Sequence, residues 1–193
     1  GRRKSSHPEA KRLFVDDPYF DESSENPLRT PLVESGKNLS NDSLRFAIFY
    51  HYALSNKVLS TVLKEFFTPK LNNFDSVTKS ELEDFFETRE IGNEERTTKD
   101  ILRCFTQFDL IEKANEGESK YLLTGNRSLP AFVYSLHHEL GEPRMYFVED
   151  IQDSLTRRAG LFDDKTLQEF IYDGWNADVW EYSFISDMEQ VKL

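Results

Sequence analysis

Cysteine is nearly absent: the chain of 193 residues has one, Cys104. A single thiol excludes a disulfide framework and any Cys-based zinc site within one chain. It falls in an apolar helical stretch at 98–108, where a small thiol is expected to pack as a hydrophobe rather than act as a nucleophile. Long apolar runs are lacking too, and none approaches the roughly 20 residues that a membrane span needs. The opening Gly1-Arg2-Arg3-Lys4-Ser5-Ser6 has no apolar stretch, so no secretory leader is expected and the cytoplasm is the expected compartment. Gly1 in place of Met suggests that the native start lies elsewhere. Glycines are few and isolated (Gly92, Gly117, Gly125, Gly141, Gly160 and Gly174), which leaves no loop able to cradle a phosphate. A nucleophile elbow, a kinase signature and a Ser/His/Asp arrangement are missing as well. The chain is therefore expected not to be an enzyme, with no cofactor and no small-molecule substrate.

Basic charge is also scarce, at 24 Lys and Arg against 35 Asp and Glu, a net charge of -11. Nonspecific DNA binding rests on Lys and Arg neutralising phosphates, so a role on DNA requires a local basic face. What is abundant is phenylalanine, with 16 residues, enough for a sizeable aromatic core. A charged fraction of 31% and a mean hydropathy of -0.62 exclude a membrane-embedded chain.

Residues 1–39 are polar and interrupted by Pro8, Pro18, Pro27 and Pro31, which predicts an irregular arm with short patches at Leu13-Phe14-Val15 and Tyr19-Phe20. From Ser40 the pattern turns helical. Leu44, Ile48, Phe49 and Tyr52 form a stripe, and a break at Ser55-Asn56 precedes Val58, Leu59, Val62, Leu63, Phe66 and Phe67, ended by Thr68-Pro69. The segment 76–124 then carries a winged helix-turn-helix order. Thr78 and Glu81 make a capping box before Leu82, Phe85 and Phe86. A polar turn leads to a helix at 98–108, capped by Thr97 with Asp100, that turns Ile101, Leu102, Phe105 and Phe108 inward. Leu110 to Lys113 and Tyr121 to Leu123 flank the turn at 115–118 as a hairpin. Further on, Ser128-Leu129-Pro130 starts a helix that Gly141 stops. Helical stretches are expected at 148–159 and 165–172, the latter broken by Gly174, and 178–193 reads as a terminal hairpin. The expected fold is mainly α with small β hairpins, winged helix-turn-helix units on a helical scaffold. Its parts are the arm at 1–39, a scaffold with a winged unit at 40–127, and a helical unit ending in a hairpin at 128–193, in which a second, degenerate winged unit is conceivable.

His137-His138-Glu139 lacks the i, i+4 spacing of a helical zinc pair, so structural histidines are expected and no metal site. The acidic pairs Glu149-Asp150 and Asp163-Asp164 read as helix starts. The remaining candidate is the polar face of the 98–108 helix. Arg96, Thr97, Thr98, Lys99 and Arg103 cluster there, with Gln107 a turn later and Lys113 and Lys120 on the hairpin. Arg and Lys suit phosphates and guanine edges, and Gln suits adenine. Glu94, Glu95, Glu112, Glu116 and Glu118 interrupt that field.

From about Phe46 onward the chain resembles the BrxA-like family of BREX phage-defence systems. The stretches that carry the resemblance are Phe49 to Leu54 leading into Val58 to Phe67, Ser80 to Phe86, Thr97 to Leu102, Phe108 to Ile111, Leu129 to Leu136, and Leu161-Phe162 with the terminal hairpin. It implies a small, mainly helical, non-enzymatic accessory protein with winged-helix features, associated with DNA in phage defence. Expected partners are duplex DNA and other subunits of a defence or nucleoprotein complex. The alternative is a protein-interaction subunit or adaptor whose acidic surface docks a basic partner.

Overall fold

The computed structural model describes residues 39–91, 93–115, 117, 119–141, 144–185 and 188–193. The arm expected at 1–39, all but its last residue, lies outside the described residues, as do Gly92, Glu116 and Glu118. Helix α1 (Asn41–Ser55) starts where the Ser40 hydroxyl accepts the Ser43 N–H at 3.3 Å. Its buried face is Phe46, Phe49, Tyr50 and Ala53, so the expected stripe is shifted: Leu44, Ile48 and Tyr52 lie half-buried at the flank. Asn56 makes the expected break and caps α2 (Lys57–Val62), its side chain accepting the Leu59 N–H at 3.0 Å. The chain continues as a π-helical turn (Leu63–Phe67) and a 3-10 turn (Thr68–Lys70) that carries Pro69.

Strand β1 (Ser76–Thr78) runs up to the expected helix cap at Thr78, where the sequence predicts no strand; three residues are too few to leave an alternation. Helix α3 (Lys79–Thr88) opens on the expected capping box, with Glu81 Oε2 accepting the Thr78 N–H at 2.7 Å. Helix α4 (Glu94–Gln107) starts earlier than expected, after Asn93 with φ 63° rather than at Thr97. Asn tolerates that left-handed conformation, and Glu94 and Glu95 in the first turn complement the helix dipole. Strands β2 (Ile111–Lys113) and β3 (Lys120–Leu123) form the expected hairpin, and β1 closes a three-stranded sheet in the order β1-β3-β2.

The second half repeats this plan. Helix α5 (Leu129–Leu140) runs from the Ser128 cap to Gly141 and is followed by β4 (Met145–Phe147). The helix expected at 148–159 is two, α6 (Val148–Gln152) and α7 (Leu155–Gly160), because Ser154 caps the second by accepting the Arg157 N–H at 3.0 Å. Helix α8 (Asp164–Asn176) and the strands β5 (Glu181–Ile185) and β6 (Met188–Lys192) complete it, with a second antiparallel sheet in the order β4-β6-β5. Gly174 does not break α8 as expected. It lies within the helix, where a Cβ would come within 2.0 Å of the Trp180 ring, so its bareness seats that indole.

One apolar cluster joins both halves. Phe105 stacks on Phe67 (centroids 4.6 Å apart) and meets Phe49 edge-on, while Phe162 of the second half packs against Phe46 of α1 and against Phe132. Ile101, Leu102, Phe105, Phe132 and Leu136 are buried in this cluster, and Phe85 packs at its margin. Polar clamps cross between the halves. Asn126 donates to the Gly160 carbonyl at 2.9 Å beside Gly125, whose φ of 62° and close approach to the Gly160 and Leu161 carbonyls leave no room for a side chain. The Asn72 side chain accepts the Asp164 N–H at 2.9 Å, capping α8 from the first half.

Candidate nucleic-acid interface

Helix α4 is amphipathic, and its inward residues fix what its outward face presents. Thr98, Ile101, Leu102 and Phe105 are buried, which leaves Lys99 and Arg103 together on an exposed face, four residues apart. A groove of about 290 Å3 runs between this face and the sheet. It is lined by Lys79 at the start of α3, by Lys99, Leu102, Arg103, Thr106 and Gln107 on α4, by Lys113 on β2 and by Tyr121 on β3. The strand register explains the last two. Val77, Tyr121 and Lys113 oppose one another across the sheet and so share the face turned to the groove.

The groove is cationic, though not unopposed. Lys79 pairs with Glu83 at 2.8 Å and Lys99 with Glu95 at 2.6 Å, both within one turn of helix. The hydrogen bond that Lys79 donates to Glu83 holds the Lys79 pKa above its ordinary value, and the bond from Lys99 holds the Glu95 carboxyl below its own. Such exposed pairs are individually weak and screened by salt, so both ammonium groups can be drawn to a stronger anion. Arg103 and Lys113 make no ion pair among the described residues.

Four of the sequence candidates therefore meet in one place: Lys99, Arg103, Gln107 and Lys113. Thr98 must be withdrawn, because its side chain is fully buried against the core. Lys120 is exposed but lies one residue off the register of Tyr121, on the opposite sheet face from Lys113. Arg96 is exposed beside Asp100 at 3.8 Å and Thr97 is half-buried; neither lines the groove. Lys79 and Tyr121 were not anticipated. Their signal was in the capping box and the hairpin alternation, but placing them against α4 requires the tertiary fold.

The other polar candidates serve the scaffold. His138 is buried with Nδ1 3.2 Å from the Tyr50 hydroxyl, and His51 Nε2 lies 2.8 Å from the Tyr134 hydroxyl. His137 is exposed, and partial desolvation pushes its imidazole below the ordinary pKa. The Glu139 carboxylate caps α7 by accepting the Leu155 and Thr156 N–H groups at 2.6 and 2.8 Å. Asp163 caps α8 as expected, accepting the Thr166 N–H at 2.6 Å. No described helix is long and apolar enough to cross a membrane. In comparison with known proteins, the chain matches no family model, no curated protein and no solved structure.

Proposed function

We propose that the first half is a winged helix-turn-helix unit that binds duplex DNA, with α4 as the reading helix and the β2–β3 hairpin as the wing. The observation that carries the reading is the groove in which Lys79, Lys99, Arg103 and Lys113 converge from three elements beside Gln107. Order and pairing support it: a helix, a short strand, two helices and a hairpin, with the short strand closing the sheet as β1-β3-β2. Lysines at the rim suit phosphates, while Arg103 and Gln107, one turn apart, suit base edges. The resemblance to the BrxA-like family makes the setting a phage-defence system of the BREX kind, in which this chain is a non-enzymatic accessory subunit in the cytoplasm. The net charge of -11 confines the contact to this groove and makes affinity strongly dependent on salt.

Fluorescence anisotropy on labelled duplex DNA, over a series of salt concentrations, tests the proposal. The parent is expected to bind at about 50 mM salt and to weaken steeply as salt rises. Lys99→Glu with Arg103→Glu is expected to abolish binding and to leave the thermal midpoint within a few degrees, because both side chains are exposed. Single neutral substitutions should flatten the salt slope by about one unit per lost phosphate contact. A double variant that binds like the parent would remove α4 from the interface.

A further inference from the structure

Where the first half has its cationic groove, the second half presents an exposed aromatic face. In the first sheet the core-facing row is Val77, Tyr121 and Lys113; in the second it is Tyr146, Val191 and Tyr182. Tyr182 therefore stands where Lys113 stands in the first sheet. Helix α8, in the position of α4, brings two more rings to it: Tyr172 lies 5.3 Å and Trp175 5.7 Å from Tyr182 between centroids. Tyr172 is 39% and Trp175 47% exposed. Farther along the same strand face comes Phe184, 61% exposed, opposite Glu189. Burial, and hydrogen bonds with Tyr172 and Glu189, push the Tyr182 phenol above its ordinary pKa.

The charge around these rings is acidic. Glu169 lies one turn before Tyr172, and Asp173 is exposed next to it. The one basic side chain of α8, Lys165, reaches Glu169 only at 3.5 Å between exposed groups. Lys192 lies on the other sheet face, bonded to Glu181 at 3.1 Å. A phosphate backbone would meet carboxylates here; a guanidinium would meet aromatic faces and carboxylates together.

We propose that the aromatic face formed by α8 and the β5–β6 hairpin docks a basic segment of a partner protein, with an arginine laid on the Tyr172–Trp175–Tyr182 rings and paired with Glu189 or Glu169. Arginine rather than lysine fits, because its planar group stacks on rings and forks onto a carboxylate at once. Phe184, exposed on the same strand face opposite Glu189, supplies an apolar anchor next to that charge. The inference is independent of DNA binding by the first half. Groove and aromatic face together would give one molecule an anion-binding and a cation-binding surface.

The two tryptophans make a direct test. Trp175 is exposed, whereas Trp180 is buried with its indole N–H donating to the Ile171 carbonyl at 2.9 Å. Acrylamide quenching should therefore report mainly on Trp175. An oligo-arginine peptide, added to the whole chain at about 150 mM salt, is expected to shield Trp175, an oligo-lysine peptide to do so several-fold more weakly, and an oligo-glutamate peptide not at all. Tyr172→Ala with Glu189→Gln is expected to weaken the arginine peptide about tenfold. Glu189→Gln alone keeps the side-chain shape and is expected to weaken it in the same direction, which preserves the test if the double variant unfolds. Lys99→Glu with Arg103→Glu should leave peptide binding as strong as before, so failure here is distinct from failure of DNA binding. Equal affinity for arginine and lysine peptides, binding that leaves Trp175 unshielded, or variants that bind like the parent would each overturn the proposal.

Discussion

Phe105 shows how much of the first half hangs on one ring. It is fully buried, stacked on Phe67 and edge-on to Phe49, and it fixes the rotation of α4 and hence the exposure of Lys99 and Arg103. Phe105→Ala removes those contacts and leaves a cavity between three helical elements. The expected loss is about 3–5 kcal/mol by urea denaturation. A loss below about 1 kcal/mol would mean that α4 does not pack on the core by this ring. Thr98 teaches the complementary lesson. It sits next in sequence to Lys99, and a polar residue in a polar run reads as surface, yet the helical rotation that exposes Lys99 turns Thr98 under.

At the scale of elements, the start of α3 couples helix formation to charge. Glu81 closes the capping box on Thr78 and also accepts a hydrogen bond from Lys70 at 2.7 Å. Lys70 first, and then the Thr78 bonds against some burial, holds its carboxyl below its ordinary pKa. A depressed carboxyl contributes stability that is present above the ordinary value of 4.5 and is lost as pH falls through the lower folded value. Glu81→Gln is therefore expected to lower the urea midpoint near neutral pH and to flatten its decline below about pH 4.5. An unchanged acid limb would show that this carboxylate does not couple to folding. The same element shows what the sequence could disclose. The capping box, the α5 boundaries and both hairpins were legible because local rules govern caps, turns and alternation. Strands β1 and β4, three residues each, were not, since only pairing with a distant strand defines them. Gly174 was misread for a related reason: its partner, the Trp180 ring, folds back from beyond the helix end. The groove was half legible, with α4 supplying its cations by periodicity and Lys79 and Tyr121 arriving only through the sheet.

At the scale of the whole molecule, the boundary expected near residue 127 is a boundary of plan rather than of stability. Helix α1 packs on α5 and α7, and Phe46 meets Phe162 at 5.8 Å, so the first half borrows its core from the second. A fragment ending at residue 127 is accordingly expected to lack a cooperative thermal transition, whereas the whole chain is expected to melt in one; circular dichroism on both distinguishes the cases. That shared core also sets a schedule. During synthesis the Phe46, Phe49 and Tyr50 face of α1 leaves the ribosome well before Phe162, which lies 116 positions later. At about 5–20 residues per second, α1 waits on the order of ten seconds for its lid, and the newborn chain carries an aromatic stripe in need of shelter for that long.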